Sequence, residues 1–147
     1  MDKPHDEPIG LFVTRSAKAL SRAFDAALDA HGSNLASWVV LASLAGGLRS
    51  SQRTIAADLG IEGATLTHHL NRMERAGLVS RERDEHDRRT QLVELTPAGR
   101  EQFSALLDTV LAFDRQLRRG FSTEELATLR ALLQRLADNA DREGAIT

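Results

Sequence analysis

Apolar side chains along this chain fall into six stretches of helical period and two short stretches of alternation. Residues 9–31 place Ile9, Phe12, Ser16, Leu20, Phe24 and Leu28 along one side of a helix, with Ala17, Ala23 and Ala27 widening the stripe. His31-Gly32 closes it. A second helix runs from Leu35 to Ala45, with Trp38, Val39, Leu41, Ala42 and Leu44 apolar, and Gly46-Gly47 ends it. Ser33 or Asn34 can cap this helix, because a side-chain oxygen there accepts an orphan backbone N–H. Ser50 or Ser51 can do the same for a short third helix carried by residues 54–59. Gly60 follows it and suits a left-handed turn. The fourth helix spans 62–76, with Leu66, Leu70, Met73 and Ala76 on its apolar stripe, and Gly77 stops it.

The period then changes. Residues 78–83 and 91–95 are short and partly alternating, as strands are, and residues 84–89 between them form a polar hairpin tip. Thr96-Pro97 opens a fifth helix over 97–119, since proline is tolerated in a first turn. Its apolar series is Phe103, Leu106, Leu107, Val110, Leu111, Phe113 and Leu117. Arg118-Arg119-Gly120 suits its C-terminal end. Ser122 and Glu125 have capping-box spacing for a sixth helix over 123–140, with Leu126, Leu129, Leu132, Leu133, Leu136 and Ala140 apolar. The expected fold is mainly α with a small β-hairpin wing (α+β): a winged helix-turn-helix flanked by N- and C-terminal helices. The long helices carry more apolar surface than a small wing domain needs.

The fourth helix keeps a polar face of Thr65, Thr67, His68, Asn71, Arg72 and Arg75. Hydroxyl, amide and guanidinium groups are the types that read base edges or hold phosphates. In a winged helix this helix fits the major groove, and an arginine at the hairpin tip fits the narrow, electronegative minor groove. A carboxylate at this tip, such as Asp87, can fix the hairpin and aim a neighbouring arginine through a charge-assisted bond. Arg88 is a phosphate contact or a solvated side chain. Arg81 and Arg83 share a register on the first wing strand and can hold Asp87 or touch phosphate. Arg53, near the start of the third helix, is a further candidate phosphate contact.

Residues 53–99 resemble the MarR family of bacterial winged-helix regulators. The residues that carry the likeness are Ala57-Asp58-Leu59-Gly60, the run from Leu70 to Val79, the wing signature Asp87-Arg88-Arg89, and Val93-Glu94-Leu95-Thr96-Pro97-Ala98-Gly99. The flanking helices fit the family plan, which extends the likeness over roughly residues 9–141. The resemblance implies Arg89 as the wing arginine that enters the minor groove, with Asp87 two residues earlier as the wing-structuring carboxylate. It implies a two-fold dimer built by the terminal helices and a pseudo-palindromic DNA operator. It also implies release of DNA by a small phenolic or aromatic acid bound between the dimer helices and the reading unit. By position, Phe12, Arg15, His31 and Trp38 are candidates to line such a pocket, with Arg15 or His31 pairing a carboxylate. The competing role for Phe12 and Trp38 is a core or dimer contact, and for Arg15 a surface ion pair. The implied organisation is a lead-in over 1–8, expected to be disordered, and a dimerisation helix over 9–32. The winged helix-turn-helix follows over 33–99, then the C-terminal dimerisation helices over 100–147, all in one compact protomer.

Composition narrows the chemistry. The chain has 147 residues, no cysteine and a formal net charge of −2. Length suffices for one domain with a core. Without thiols there are no disulfides, no thiolate metal sites and no cysteine-based peroxide sensing. Residues 50–100 hold 8 Lys+Arg against 8 Asp+Glu, so any basic surface must come from folding. His68 and His69 are adjacent, hence about 100° apart on a helix and poorly placed to chelate one metal. No metal site or cofactor is expected. No Ser/His/Asp order, glycine-rich phosphate loop or paired-carboxylate arrangement points to an enzyme. No apolar run approaches the roughly 20 residues of a membrane span. The first eight residues lack an apolar signal region, so a cytoplasmic protein is expected. The reading is a dimeric, sequence-specific DNA-binding regulator, a repressor relieved by a small aromatic ligand. The alternative is a winged-helix module that binds proteins and not DNA.

Overall fold

The structure, a computed structural model, describes residues 7–47 and 49–141. Of the expected lead-in over 1–8, the first six residues lie outside the described residues. The chain divides into two compact units between Leu111 and Ala112, and each is taken by itself.

The first unit begins with α1, Ile9–Asp29. Its apolar stripe splits. Leu28 is buried and Phe24 packs against the core, whereas Ile9, Phe12 and Leu20 stand exposed, Phe12 at 50%. Next, α2 covers Leu35–Leu44, and Asn34 caps it by accepting from the Ser37 N–H at 2.9 Å. Asp25 of α1 accepts a second orphan donor, the Leu35 N–H, at 2.8 Å. Trp38 stacks on Phe103, ring centroids 5.0 Å apart and planes within 6°. This holds α2 to α5, the helix Pro97–Leu117.

Between them lies the helix-turn-helix. Ser51 caps α3, Gln52–Leu59, by accepting from the Thr54 N–H at 3.0 Å. The fourth helix, α4, covers Gly63–Arg75. Both helices end in the same way. Gly60 and Gly77 take φ of 62° and 74°. The next residues, Ile61 and Leu78, return N–H bonds to Ala56 O and Met73 O at 3.1 and 2.9 Å.

The sheet has three antiparallel strands in the order β1-β3-β2: β1 Ser50–Ser51, β2 Val79–Arg83 and β3 Gln91–Leu95. The hairpin was legible in the alternation. The two-residue β1, paired Ser50 to Val93 and Ser51 to Leu92, was not, because two serines carry no period. Pairing of Val79 with Leu95 and Arg81 with Val93 puts these four on one face. Val79, Val93 and Leu95 are buried there. On the other face, Arg49 donates to Glu94 at 3.1 Å and to Glu82 at 3.4 Å, tying the sheet together from outside.

The core joins Leu28, Val40, Leu41 and Leu44 to Ile55, Leu66, Leu70, Met73 and Leu106, along with the three sheet residues. Each such side chain contributes roughly 1.5–3 kcal/mol relative to exposure. At the corner into α5, Thr96 Oγ1 donates to Gly77 O at 2.5 Å and accepts from the Gly99 N–H at 3.0 Å. A Cβ on Gly99 would stand 2.0 Å from Leu78 O. Close backbone approach therefore requires glycine here.

The second unit contains the end of α5 and α6, Thr123–Ala140. The capping box is complete: Ser122 Oγ accepts from the Glu125 N–H at 3.1 Å, and Glu125 accepts from the Ser122 N–H at 2.8 Å. No residue of α6 is buried, and Leu129, Leu132, Leu133 and Leu136 are exposed. Among the described residues, no helix is long and apolar enough to cross a membrane.

Candidate nucleic-acid interface

Helix α4 buries Leu66, Leu70 and Met73. Its helical period then turns Thr65, Thr67, His68, Asn71 and Arg72 outward, and all five are exposed. Some of this face is already engaged. Thr67 Oγ1 donates to Gly63 O at 2.9 Å and accepts from Gln52 Nε2 at 3.4 Å, which links α4 to the start of α3. Arg75 Nε donates to Asn71 O at 3.2 Å. The His68 and His69 rings meet edge to face at 5.9 Å. His69 lies partly inside the protein, and this burial lowers its pKa, with His68 and Arg72 adding to the shift.

The wing tip is organised by Asp87. Its Oδ1 accepts the Arg89 N–H and its Oδ2 the Thr90 hydroxyl, both at 3.0 Å, and its carbonyl accepts the Thr90 N–H at 2.8 Å. Asp87 thus spends its carboxylate on the turn, and Arg89 forms no ion pair among the described residues. Arg53, Arg72, Arg83 and Arg88 likewise stand exposed without one. Arg53 and Arg89 line the same groove of about 590 Å³, with Gln52 and Asp87. The start of α3 and the wing are therefore brought together, although 36 positions separate the two arginines.

Arg81 departs from expectation. Its Nη2 donates to Glu74 Oε2 and to Asn71 Oδ1, each at 2.6 Å, so it is turned onto α4 and does not hold Asp87. The hydrogen bond from Arg81 holds the Glu74 carboxyl below the ordinary glutamate range, against a smaller effect of burial. Period two carries the signal for this placement. Arg81 follows Val79 on the same strand face, and Val79 is in the core.

The four candidate pocket residues do not converge. Arg15 forms a two-bond pair with Glu7 at 2.7 and 2.8 Å and lies over the Phe12 ring. His31 shares a hydrogen bond with Thr109 of α5 at 2.9 Å, and Trp38 stacks on Phe103. A cleft of about 470 Å³ lies elsewhere. Ser21 and Asp25 of α1, Asn34, Leu35, Ala36, Val39 and Val40 around α2, and Leu59, Ile61 and His69 line it. The sequence signal for His69 in this cleft is its place beside Leu70, off the polar face of α4.

A buried helix-turn-helix core, an outward polar α4 and an arginine-tipped hairpin define a winged helix-turn-helix protein. Residues 31–90 match the model of the MarR family. An uncharacterised HTH-type transcriptional regulator of Bacillus subtilis strain 168, YdgJ, is 34% identical over 89 residues, 60% of this chain and 54% of that protein. The match thus spans about half of that relative's length. The crystal structure of a probable transcriptional regulator from Pseudomonas aeruginosa is 29% identical with a TM-score of 0.79, over 89% of this chain and 98% of that one. A mutant MarR from E. coli complexed with operator DNA shares the fold at 24% identity and a TM-score of 0.80, over 88% of this chain and 93% of that one.

Proposed function

We propose that this protein is a homodimeric, sequence-specific DNA-binding regulator of transcription, a repressor that a small aromatic or phenolic ligand releases. The observation that carries the DNA reading is the groove that Arg53 and Arg89 both line, beside the polar face of α4: neither guanidinium is in an ion pair among the described residues, and the Asp87 carboxylate in the same groove is held by its own turn. Guanidinium groups placed this way neutralise phosphates or enter a minor groove, while α4 offers Thr65, His68, Asn71 and Arg72 to base edges. The relative bound to operator DNA has the same fold.

Two further features support the finer reading. An 18-residue helix with no buried residue, such as α6, is marginal alone in water, and its exposed leucines need a cover. The exposed Ile9, Leu11, Phe12 and Leu20 of α1 have the same need. A second copy supplies both, and two winged helices about 34 Å apart read both halves of a palindrome. The cleft beside α1 and α2 has the size and mixed lining of a small-molecule site, with Ser21, Asp25, Asn34 and His69 among apolar walls. Its occupant would touch α4 through His69 and so bear on the reading helix directly.

Fluorescence anisotropy against DNA flanking the protein's own gene, titrated with salt, tests the reading. Palindrome-dependent binding with a steep salt slope supports it. Binding no tighter than to random duplex, repeated in a genome-wide selection, would favour the protein-binding alternative.

A further inference from the structure

Asn71 and Arg81 lie on different elements of the interface, and the structure joins them. Arg81 Nη2 donates to Asn71 Oδ1 at 2.6 Å. The same guanidinium is anchored on Glu74 through Nη2 at 2.6 Å and Nε at 3.2 Å. Arg81 is only 16% exposed, whereas Asn71 is an exposed residue of α4. A primary amide has one acceptor oxygen and two N–H donors on opposite arms of a plane. With the oxygen turned toward β2, the nitrogen is turned away from it. Glu74 fixes the guanidinium, so the amide cannot flip without presenting N–H donors to another donor.

We propose that Arg81 is a positioning residue that makes Asn71 a donor-only reader. It directs Asn71 to base-edge acceptors, guanine N7 and O6, and withholds the bidentate adenine contact. That contact needs the asparagine oxygen to accept from adenine N6 while its nitrogen donates to N7. The inference rests on the DNA-binding reading of the same face. It assigns to this pair a specificity that Asn71 alone would not have.

Binding-site selection with the full chain tests it, comparing wild type with Asn71→Ala, Arg81→Met and Glu74→Gln. The wild type should show no adenine at any position that Asn71→Ala flattens. Arg81→Met frees the amide and should introduce an adenine preference absent from the wild type, about 5- to 150-fold. An Asn71→Ala variant that weakens all sequences equally marks a phosphate contact and overturns the proposal. Glu74→Gln keeps the Arg81–Asn71 bond and should keep the wild-type selection. It thereby separates the brace on α4 from the hold on the oxygen. Should Arg81→Met fold poorly, the double variant Arg81→Met/Glu74→Met takes its place. It removes both the donor held to Asn71 Oδ1 and the carboxylate otherwise left unpaired, and the same gain of adenine is expected. A wild type that already selects adenine at an Asn71-dependent position overturns the proposal. So does an arginine variant that loses affinity uniformly with unchanged selection. A wild type with no sequence selection at all instead removes the DNA-binding reading, and this proposal with it.

Discussion

Leu66 and Leu70 of α4 are fully buried, whereas Leu129, Leu132, Leu133 and Leu136 of α6 stand exposed at 36–45%. In the sequence the two helices read alike, with apolar residues every three or four positions. What differs is the covering surface. Helix α4 lies among α2, α3 and the sheet, so its stripe is consumed within the chain. The same kind of stripe on α6 has no cover within its own unit. An apolar stripe therefore says that a face needs a partner, not which partner.

The largest effect that sharpens this contrast is Leu70→Ala, a cavity in a closed core, expected to cost about 2–5 kcal/mol in chemical denaturation. Leu132→Ala, the same change on α6, should shift protomer stability by no more than about 0.5 kcal/mol. It should instead weaken self-association in sedimentation equilibrium. Equal stability losses at both sites would break the comparison. Gly99→Ala comes next. The new methyl meets the Leu78 carbonyl, and overpacking of this kind costs about 1–3 kcal/mol, readable as a lower melting temperature.

Smaller still, and confined to binding, is Arg89→Ala. It should leave the fold intact, weaken operator binding and reduce the salt slope by about 1. An unchanged slope removes the wing from the interface. The mildest effect is on pH dependence. Because folding lowers the Glu74 pKa, chiefly through the hydrogen bond from Arg81, its contribution is full above the ordinary glutamate range. It is lost as pH falls through the lower folded value. Wild type and Glu74→Gln should therefore differ in stability near neutrality and converge in acid. Curves that stay parallel would mean the pair does not stabilise the protein.

Much of the candidate interface was legible because its signals are local. Caps, stop glycines and helical period act over four or five residues, and Ser122 with Glu125 formed the box their spacing implied. Burial of Leu66, Leu70 and Met73 follows from the same period, and so does the outward turn of Thr65, His68, Asn71 and Arg72. The candidate pocket was less legible. Only position in the chain points to Phe12, Arg15, His31 and Trp38, and the structure engages them separately, with Glu7, Thr109 and Phe103 among their partners. A cleft is lined by whatever distant elements approach each other, and that approach leaves no local trace.

The sequence by itself determined the order of the six helices, the hairpin and the polar face of α4. Each depends on neighbours within a turn or along one strand. Only the tertiary structure decided that Ser50 and Ser51 add a third strand to the sheet and that Arg53 and Arg89 line one groove. It also turned Arg81 back onto Glu74 and Asn71, and left Phe12 in solvent while Leu28, on the same stripe, is buried. These outcomes depend on pairs of groups far apart in the chain. Their geometry exists only once the core around Leu41, Leu70 and Val93 has closed.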